Sequence, residues 1–157
     1  MPNMYTASFS AQAVTAAVDF FELIVPSTKV AVVHEVVIGQ SSDVGDAAEE
    51  ILSLLFKRGV SSTTGTGGTQ AATPVKLETG GASAGCTFDY LNTTKMTSGT
   101  ITTLRADTWN VRGPYQWIPT PETRPVLSPS ERFTVELVSA PADSLTVSAT
   151  LVFEELG

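Results

Sequence analysis

The feature that most constrains the fold is a strict alternation of apolar and polar side chains near the C-terminus. From residue 145 to residue 153 every second residue is apolar, in the order Leu145, Val147, Ala149, Leu151 and Phe153. A period of two residues is typical of a half-buried β-strand. Residues 131–138 alternate in a similar way, and Pro141 and Asp143 between the two runs indicate a turn. We therefore predict two strands paired in antiparallel.

The N-terminal half also has the pattern of strands. Residues 16–26 and 29–39 carry apolar side chains on both faces, and a tight turn at residues 26–28 joins them. A strand covered on both sides fits a sandwich or a subunit contact. Residues 1–14 alternate as well and form a possible N-terminal arm, which completes a sheet in this subunit or in a neighbour's. Its Tyr5 and Phe9 side chains are candidate contact residues.

Residues 46–58 admit two interpretations. Asp46 followed by Glu49 matches a capping box, and apolar residues at positions 48, 51, 52 and 55 follow helical spacing. Alternatively, residues 50–59 form a strand antiparallel to residues 29–39. The segment alone favours the helix, but in a chain otherwise built of strands we predict the strand.

The chain as a whole is predicted to be an all-β sandwich or barrel of about eight strands. Residues 60–85 are mostly Thr, Ser, Gly and Ala, which predicts an irregular surface loop with a short strand at residues 75–78. The 157 residues fit one domain, residues 1–157. No apolar run approaches 18 residues, so we expect no membrane partner.

Charge and reactive residues argue against several classes of function. The net charge is −7 and the basic residues are scattered, so we expect no nucleic-acid partner. Cys86 is the only cysteine, which excludes an intrachain disulfide. A catalytic triad or a nitrogen-rich metal site within one chain would have to use His34, the only histidine. A single histidine in a hydrophobic strand is more typical of a packed or interfacial side chain, so we expect no enzyme activity, no metal and no cofactor.

One enzymatic alternative stays open at this point. Glu22, Glu35 and Asp19 lie on neighbouring predicted strands. Two carboxylates about 5 Å apart are what a retaining glycosidase needs. Nothing in the sequence distinguishes such a pair from ordinary exposed charges on strands.

The stretch "WNVRGPYQWIPTPETRP", residues 109–125, contains both tryptophans of the chain. Its prolines fix φ and remove backbone donors, which predicts a stiff crossover or edge segment. Trp109, Tyr115 and Trp117 have the composition of a contact core. These aromatic side chains either plug the end of the sandwich or form a subunit contact. In the second case the arginines pair with an acid of this chain or of a neighbour, and the candidates are Arg112, Arg124 and Glu122.

The segment "DTWNVRGPYQWIPTPETRPVLSPSERFTVEL", followed by "APADSLTVSATLVFEELG", resembles the capsid decoration (cement) proteins of tailed bacteriophages. The resemblance implies a jelly-roll sandwich of two four-stranded sheets and a homotrimer bound to the major capsid protein. It also implies a location on the capsid exterior after synthesis in the host cytoplasm, and it provides no catalytic residue.

The alternative function is a carbohydrate- or receptor-binding module of a phage tail or head fibre. In that case Trp109, Tyr115 or Trp117 stacks on sugar rings.

Overall fold

The computed structural model describes residues 3–42 and 50–157 and is built almost entirely of β-strands. The strands are β1 (Asn3–Val14), β2 (Asp19–Ile24), β3 (Val30–Gln40), β4 (Ile51–Val60), β5 (Thr69–Ala72), β6 (Val75–Lys76), β7 (Thr87–Tyr90), β8 (Thr100–Asn110), β9 (Tyr115–Trp117), β10 (Val126–Leu127), β11 (Arg132–Leu137) and β12 (Leu145–Leu156). One 3₁₀ turn spans Pro121–Thr123. Within the described ranges, no helix is long and apolar enough to cross a membrane.

The strands form two antiparallel sheets, which confirms the predicted β-sandwich. The described residues contain twelve strands, six in each sheet, rather than about eight, because short strands within residues 61–99 and 115–127 add to both sheets. Sheet A has the order β10-β3-β12-β1-β6, with β9 also paired to β3. Sheet B has the order β5-β7-β2-β11-β4-β8. The pairing is nested, because β1 pairs with β12, β2 with β11, β3 with β9 and β10, and β4 with β8. Each of the first four strands therefore pairs with a strand from the second half of the chain, and the partners follow in reverse order along the sequence.

Two predicted strand pairings are wrong. The strands β11 and β12 lie in different sheets, and so do β3 and β4. Both predictions rested on the expectation that strands adjacent along the chain pair as hairpins. In the structure the connections from β3 to β4 and from β11 to β12 cross from one sheet to the other. As a result, β11 lies between β2 and β4, and β12 lies between β1 and β3. Each of these central strands then has its backbone groups paired on both sides.

The predicted alternation along β12 is confirmed by burial. Its inward side chains at positions 145, 147, 149, 151 and 153 are all buried, and they pack with inward side chains of β1 and β3. Sheet B contributes mainly aromatic and leucine side chains, among them Phe21, Leu54 and Phe133. A continuous apolar core therefore fills the space between the sheets.

The N-terminal arm and residues 51–60 both form strands within this chain. β1 pairs with β12 from Asn3 to Val14, so the arm completes its own subunit's sheet. In β4, Leu52, Leu54 and Phe56 are buried, while the side chains between them are exposed or half-buried, which is the period of a strand. The capping-box residues Asp46 and Glu49 lie outside the described residues.

Residues 61–99, here called the insertion, lie between β4 and β8 and join both sheets. Its β7 pairs with β2 in sheet B, and its β6 pairs with β1 in sheet A. The predicted loop 60–85 therefore contains β5 and β6, and the strand predicted at residues 75–78 is confirmed over Val75–Lys76. Gly99 ends the insertion with φ at 63°, and a Cβ there would meet Val60 O at 2.2 Å, so only glycine fits.

Phe9→Ala should destabilise the chain by about 3–5 kcal/mol, because Phe9 is buried against Phe20, Phe21 and Tyr90. The neighbouring Ser10 is exposed, and Ser10→Ala should change the free energy of unfolding by less than about 0.5 kcal/mol. Urea unfolding of both variants measures the difference. Equal effects would contradict the placement of the arm in the core.

Candidate interaction surface

Residues 115–127, here called the edge segment, run along the outer edge of sheet A. β9 pairs with Val36–Ile38 and β10 pairs with Ala31–Val32 of the same strand, β3. Between them the backbone N–H of Val33 donates to Pro125 O at 3.0 Å. Proline cannot donate to a sheet ladder, and edge positions tolerate it for that reason. The predicted position of this segment at a sheet edge is therefore confirmed.

The inner side of the edge segment carries the aromatic rings. The Phe56 ring centroid lies 4.8 Å from that of Trp117 and 6.1 Å from that of Tyr115. The Tyr115 hydroxyl donates to Asp107 Oδ2 at 2.6 Å, and the Arg105 guanidinium lies 5.7 Å from the Trp117 ring centroid. These two rings therefore close the gap between β9 of sheet A and β8 of sheet B, as the plug alternative predicted.

The outer side of the edge segment exposes apolar and charged groups. Ile118 is 61% exposed and Val126 is 52% exposed. Glu122 is exposed, and the half-buried Arg124 has a buried Nε without a hydrogen-bond partner among the described residues. The predicted pairing of Glu122 with Arg112 or Arg124 is absent from the ion pairs of residues 3–42 and 50–157. The second option from the sequence, an acid supplied by a neighbouring chain, stays a prediction.

The remaining predicted contact residues divide into surface and core positions. His34 occupies a bulge of β3 between the two parts of the edge segment, and its Nε2 lies 3.1 Å from Glu154 Oε2. Arg112 is exposed in the turn after β8. Tyr5 and Phe9 are buried on the inward face of β1, and Trp109 is 2% exposed with its Nε1 donating to Gly113 O at 2.8 Å. The structure thus places Tyr115, Trp117, Glu122 and Arg124 on the edge segment and His34 on the strand beside it. It packs Tyr5, Phe9 and Trp109 into the core of their own chain.

A set of buried charges that was not predicted from the sequence lies between sheet B and the insertion. We call it the carboxylate layer, and its acids are Asp19, Glu22, Asp89 and Glu136. Glu22 is fully buried on β2. Its Oε2 accepts from the backbone N–H of Gly65 at 2.8 Å and from Asn92 Nδ2 at 3.2 Å, both in the insertion. A carboxylate on the core sheet therefore holds the insertion in place.

Cations from both sides complete the carboxylate layer. Lys95 of the insertion lies 3.5 Å from Asp19 Oδ1 and 3.7 Å from Glu136 Oε1, and it donates to Leu137 O at 3.1 Å. Lys57 pairs with Glu136 from the neighbouring strand β4. Arg132 Nε lies 3.6 Å from Glu22 Oε1, beyond hydrogen-bond distance. Buried charges are retained in proteins when they are paired in this way.

Burial shifts two acids of the layer, Glu22 and Asp19, toward their neutral forms. Burial raises the pKa of Glu22 to about 7; the Gly65 N–H opposes the shift, while the nearby Asp89 and Asp19 carboxylates add to it. Burial also raises the pKa of Asp19 to about 6, against the attraction of Lys95.

A second buried carboxylate holds the insertion to sheet A. Glu155 of β12 accepts from the backbone N–H groups of Gly85 and Cys86 at 2.9 Å, and Lys29 lies 3.5 Å away. Burial alone would raise its pKa, but these backbone donors hold the pKa below its ordinary value. Tyr5 adds a hydrogen bond to Ala82 O at 3.1 Å. The insertion is thus anchored at both sheets by polar groups.

The carboxylates considered for glycoside chemistry are not on neighbouring strands of one sheet. Glu22 and Asp19 lie in sheet B, whereas Glu35 lies in sheet A and accepts a hydrogen bond from Gln116 at 2.8 Å. The error arose because β2 and β3, though consecutive, enter different sheets. Within the described ranges, no group of three or more His, Cys, Asp or Glu side chains is arranged to hold a metal ion.

The sequence carries no signal for the burial of the carboxylate layer. The strands β2 and β11 carry Glu22 and Glu136 at outward positions, which the alternation interprets as solvent-exposed. The long polar insertion that covers them shows no apolar periodicity, so nothing in its own residues indicates packing on sheet B.

No protein-family model matches the chain, and no curated protein is significantly similar to it. Two solved structures are similar at low scores: "Structure of infectious bursal disease virus Gx strain" (TM-score 0.18, 15% identity) and "Structure of infectious bursal disease virus Gt strain" (TM-score 0.19, 13% identity). The alignments cover 99% and 98% of this chain and 40% of each of those chains, so this chain spans less than half of their length. TM-scores this low carry no argument about function.

Glu22→Gln should change how stability depends on pH. The folded-state pKa of Glu22 lies above its ordinary 4.5, so its stabilising contribution is fully present below about pH 4 and is lost as the pH rises through about 7. Glutamine does not titrate. The unfolding free energy of the wild type minus that of the variant should therefore fall by about 3 kcal/mol between pH 4 and pH 8, at about 1.4 kcal/mol per pKa unit.

Urea unfolding across this pH range measures the difference. Glu122→Gln, which removes an exposed carboxylate, is the matched control. A Glu22→Gln difference that varies with pH no more than the control's would contradict the assignment.

Proposed function

We propose that this chain is a structural protein of a virion, a decoration protein that binds the capsid exterior as a homotrimer. The resemblance of residues 107–157 to phage decoration proteins supports the proposal, and the nested strand order supports the jelly-roll form of the sandwich. The proposal assigns no catalytic role to the chain.

The observation that carries the proposal is the edge segment. Its inner aromatic rings fix it to the sandwich, while Ile118 and Val126 remain exposed on its outer side. Prolines at positions 119, 121 and 125 restrict the backbone, so docking this segment against another chain orders little that is not already ordered. A stiff segment with exposed apolar side chains is suited to repeated subunit contacts.

Arg124 gives the edge segment a preference for an acidic partner. Its Nε is buried and has no hydrogen-bond partner among the described residues. Arg124 also makes no ion pair among the described residues, so its guanidinium charge is left for a carboxylate of a second copy to pair with. The chain has 16 acidic residues against nine basic ones, so copies of itself supply such groups.

Attachment to the major capsid protein follows from symmetry and mass action in this proposal. A trimer presents every contact three times, so modest single contacts add up through multivalency. A protein that binds only the assembled lattice stabilises that lattice. In this proposal the chain is made in the host cytoplasm and then binds to the finished capsid.

The carbohydrate-binding alternative has less support from the placement of the aromatic side chains. Trp109 is 2% exposed and packs edge-on against Phe20. Trp117 is half-buried between Phe56 and Arg105. A sugar platform needs an exposed ring face, and neither tryptophan offers a free one. The subunit-contact function is therefore the one we propose.

Ile118→Ser should weaken self-association about 10- to 100-fold, because burying an isoleucine side chain contributes about 1.5–3 kcal/mol. The matched control is Ile51→Ser in sheet B, since Ile51 is 64% exposed and Ile118 is 61% exposed. Light scattering after size-exclusion chromatography should give the mass of three chains or a multiple of three for the wild type and the control, and a mass below three chains for Ile118→Ser. A wild type that stays a single chain at micromolar concentration would refute the trimer.

Binding to a capsid is tested on particles. Virions that carry this protein, imaged before and after it is removed, should lose threefold-symmetric density from the outer surface, and the stripped shells should rupture at lower temperature. Density inside the shell or on a tail would overturn the proposed location.

A further inference from the structure

Strand β8 is an exposed edge of sheet B. It is 11 residues long and forms a ladder with β4 along one side, and the strand order of the described residues ends there. Nearly all of its side chains are exposed; the exceptions are Asp107, which is half-buried, and Trp109, which is buried. Its other side forms no ladder with any strand of residues 3–42 and 50–157, so its backbone N–H and C=O groups have no strand partner there.

Exposed edges of this length usually carry devices that prevent pairing with another chain, such as lysine, proline or a very short strand. The strand TITTLRADTWN contains neither lysine nor proline, and it is rich in β-branched residues. Its protective features are a bulge at Leu104 and the charged side chains of Arg105 and Asp107, which lie on the same face as the buried Trp109. The six residues from Arg105 to Asn110 pair with β4 without interruption. This part of the edge is therefore suited to strand addition.

The charges on β8 select a partner. Arg105 and Asp107 are two residues apart, so they lie on the same face of the strand, and Arg105 Nε donates to Asp107 Oδ2 at 2.5 Å. Ala106 lies between them. If two copies of β8 pair in antiparallel with Ala106 on the twofold axis, Arg105 of each copy stands opposite Asp107 of the other.

We infer that β8 pairs in antiparallel with β8 of a second copy of this chain, with Ala106 at the twofold axis. Each Asp107 then lies between its own Arg105 and Arg105 of the second copy, and opposite charges directly across a ladder stabilise the pair. Moving the axis to Arg105 places two arginines opposite each other, and moving it to Asp107 does the same with two aspartates. Of these three registers, only the one with Ala106 at the axis places opposite charges across from each other.

This contact goes beyond the proposed function and does not depend on the threefold contact of the edge segment. A twofold contact is isologous, with the same patch used on both copies. Together with a threefold contact elsewhere on the surface, it would connect trimers to one another across a lattice.

Disulfide trapping in the full chain tests the register. The native Cys86 is buried, so an engineered cysteine is the accessible thiol. Opposed residues in an antiparallel ladder have Cα atoms roughly 4.5–5.5 Å apart, within the range of a disulfide. Ala106→Cys should therefore form covalent dimers under mild oxidation at least about tenfold faster than Thr79→Cys, an exposed control in the insertion.

Neighbouring positions provide the discriminating controls. Leu104→Cys and Thr108→Cys should each dimerise slowly alone, because each lies about 13 Å from its own copy in this register. A mixture of the two should crosslink readily, since residue 104 of one copy then faces residue 108 of the other. An Ala106→Cys rate equal to that of Thr79→Cys, or fast dimerisation of Leu104→Cys alone, would overturn the inference.

A charge reversal tests the electrostatic part. In the Ala106→Cys background, Arg105→Asp places acids opposite acids and should slow dimerisation several-fold at low salt. The exchange of both charges, Arg105→Asp with Asp107→Arg, should restore most of the rate. An unchanged rate in the single reversal would also overturn the inference. Thermal melting of each variant checks that it remains folded.

Discussion

The nested pairing of the two ends of the chain is the constraint on which the rest of the structure depends. β12 lies at the centre of sheet A, and it joins β1 from one end of the sequence to β3 in the first half. Sheet B repeats the arrangement with β11 between β2 and β4. Because β1, β2, β3 and β4 enter the two sheets alternately and pair with later strands, the core can close only when both ends of the chain are in place. The insertion and the edge segment are then attached to a framework already fixed by these pairs.

Several buried charged groups hold parts of this chain to one another. Glu22 and Asp19 hold the insertion against sheet B, and Glu155 holds its other end against sheet A. These contacts convert a long polar segment without apolar periodicity into an ordered layer. The edge segment and β8 expose side chains at the edges of the two sheets. Edges are where a sandwich can bind further chains without disturbing its core.

Much of the fold follows from the sequence because side-chain alternation is a local property. The long strands near both ends, and the strand at residues 51–60, correspond to the segments that alternation or β-branched composition indicated. Strand partners are a long-range property, and the wrong pairing of β11 with β12 shows that adjacency along the chain is a poor guide where connections cross between sheets. The same reason explains why Glu22 and Glu35 were placed together although they lie in different sheets.

The candidate surface was predicted in part. The rigidity of the proline-rich stretch and the grouping of Tyr115 and Trp117 followed from residue type. The burial of Trp109 did not, because residue type alone does not say which side of a strand faces the core. The carboxylate layer could not be predicted either, since it depends on a covering segment whose own sequence carries no packing signal.

Hydrogen exchange tests most directly the central claim that this chain associates through its edge segment. Exchange of the amides in residues 115–127 should be compared, by mass spectrometry, between the wild type and the Ile118→Ser variant at the same micromolar concentration. The account predicts slower exchange of this segment in the wild type, with the insertion unchanged between the two proteins. Equal exchange in residues 115–127, or protection of the insertion instead, would contradict it.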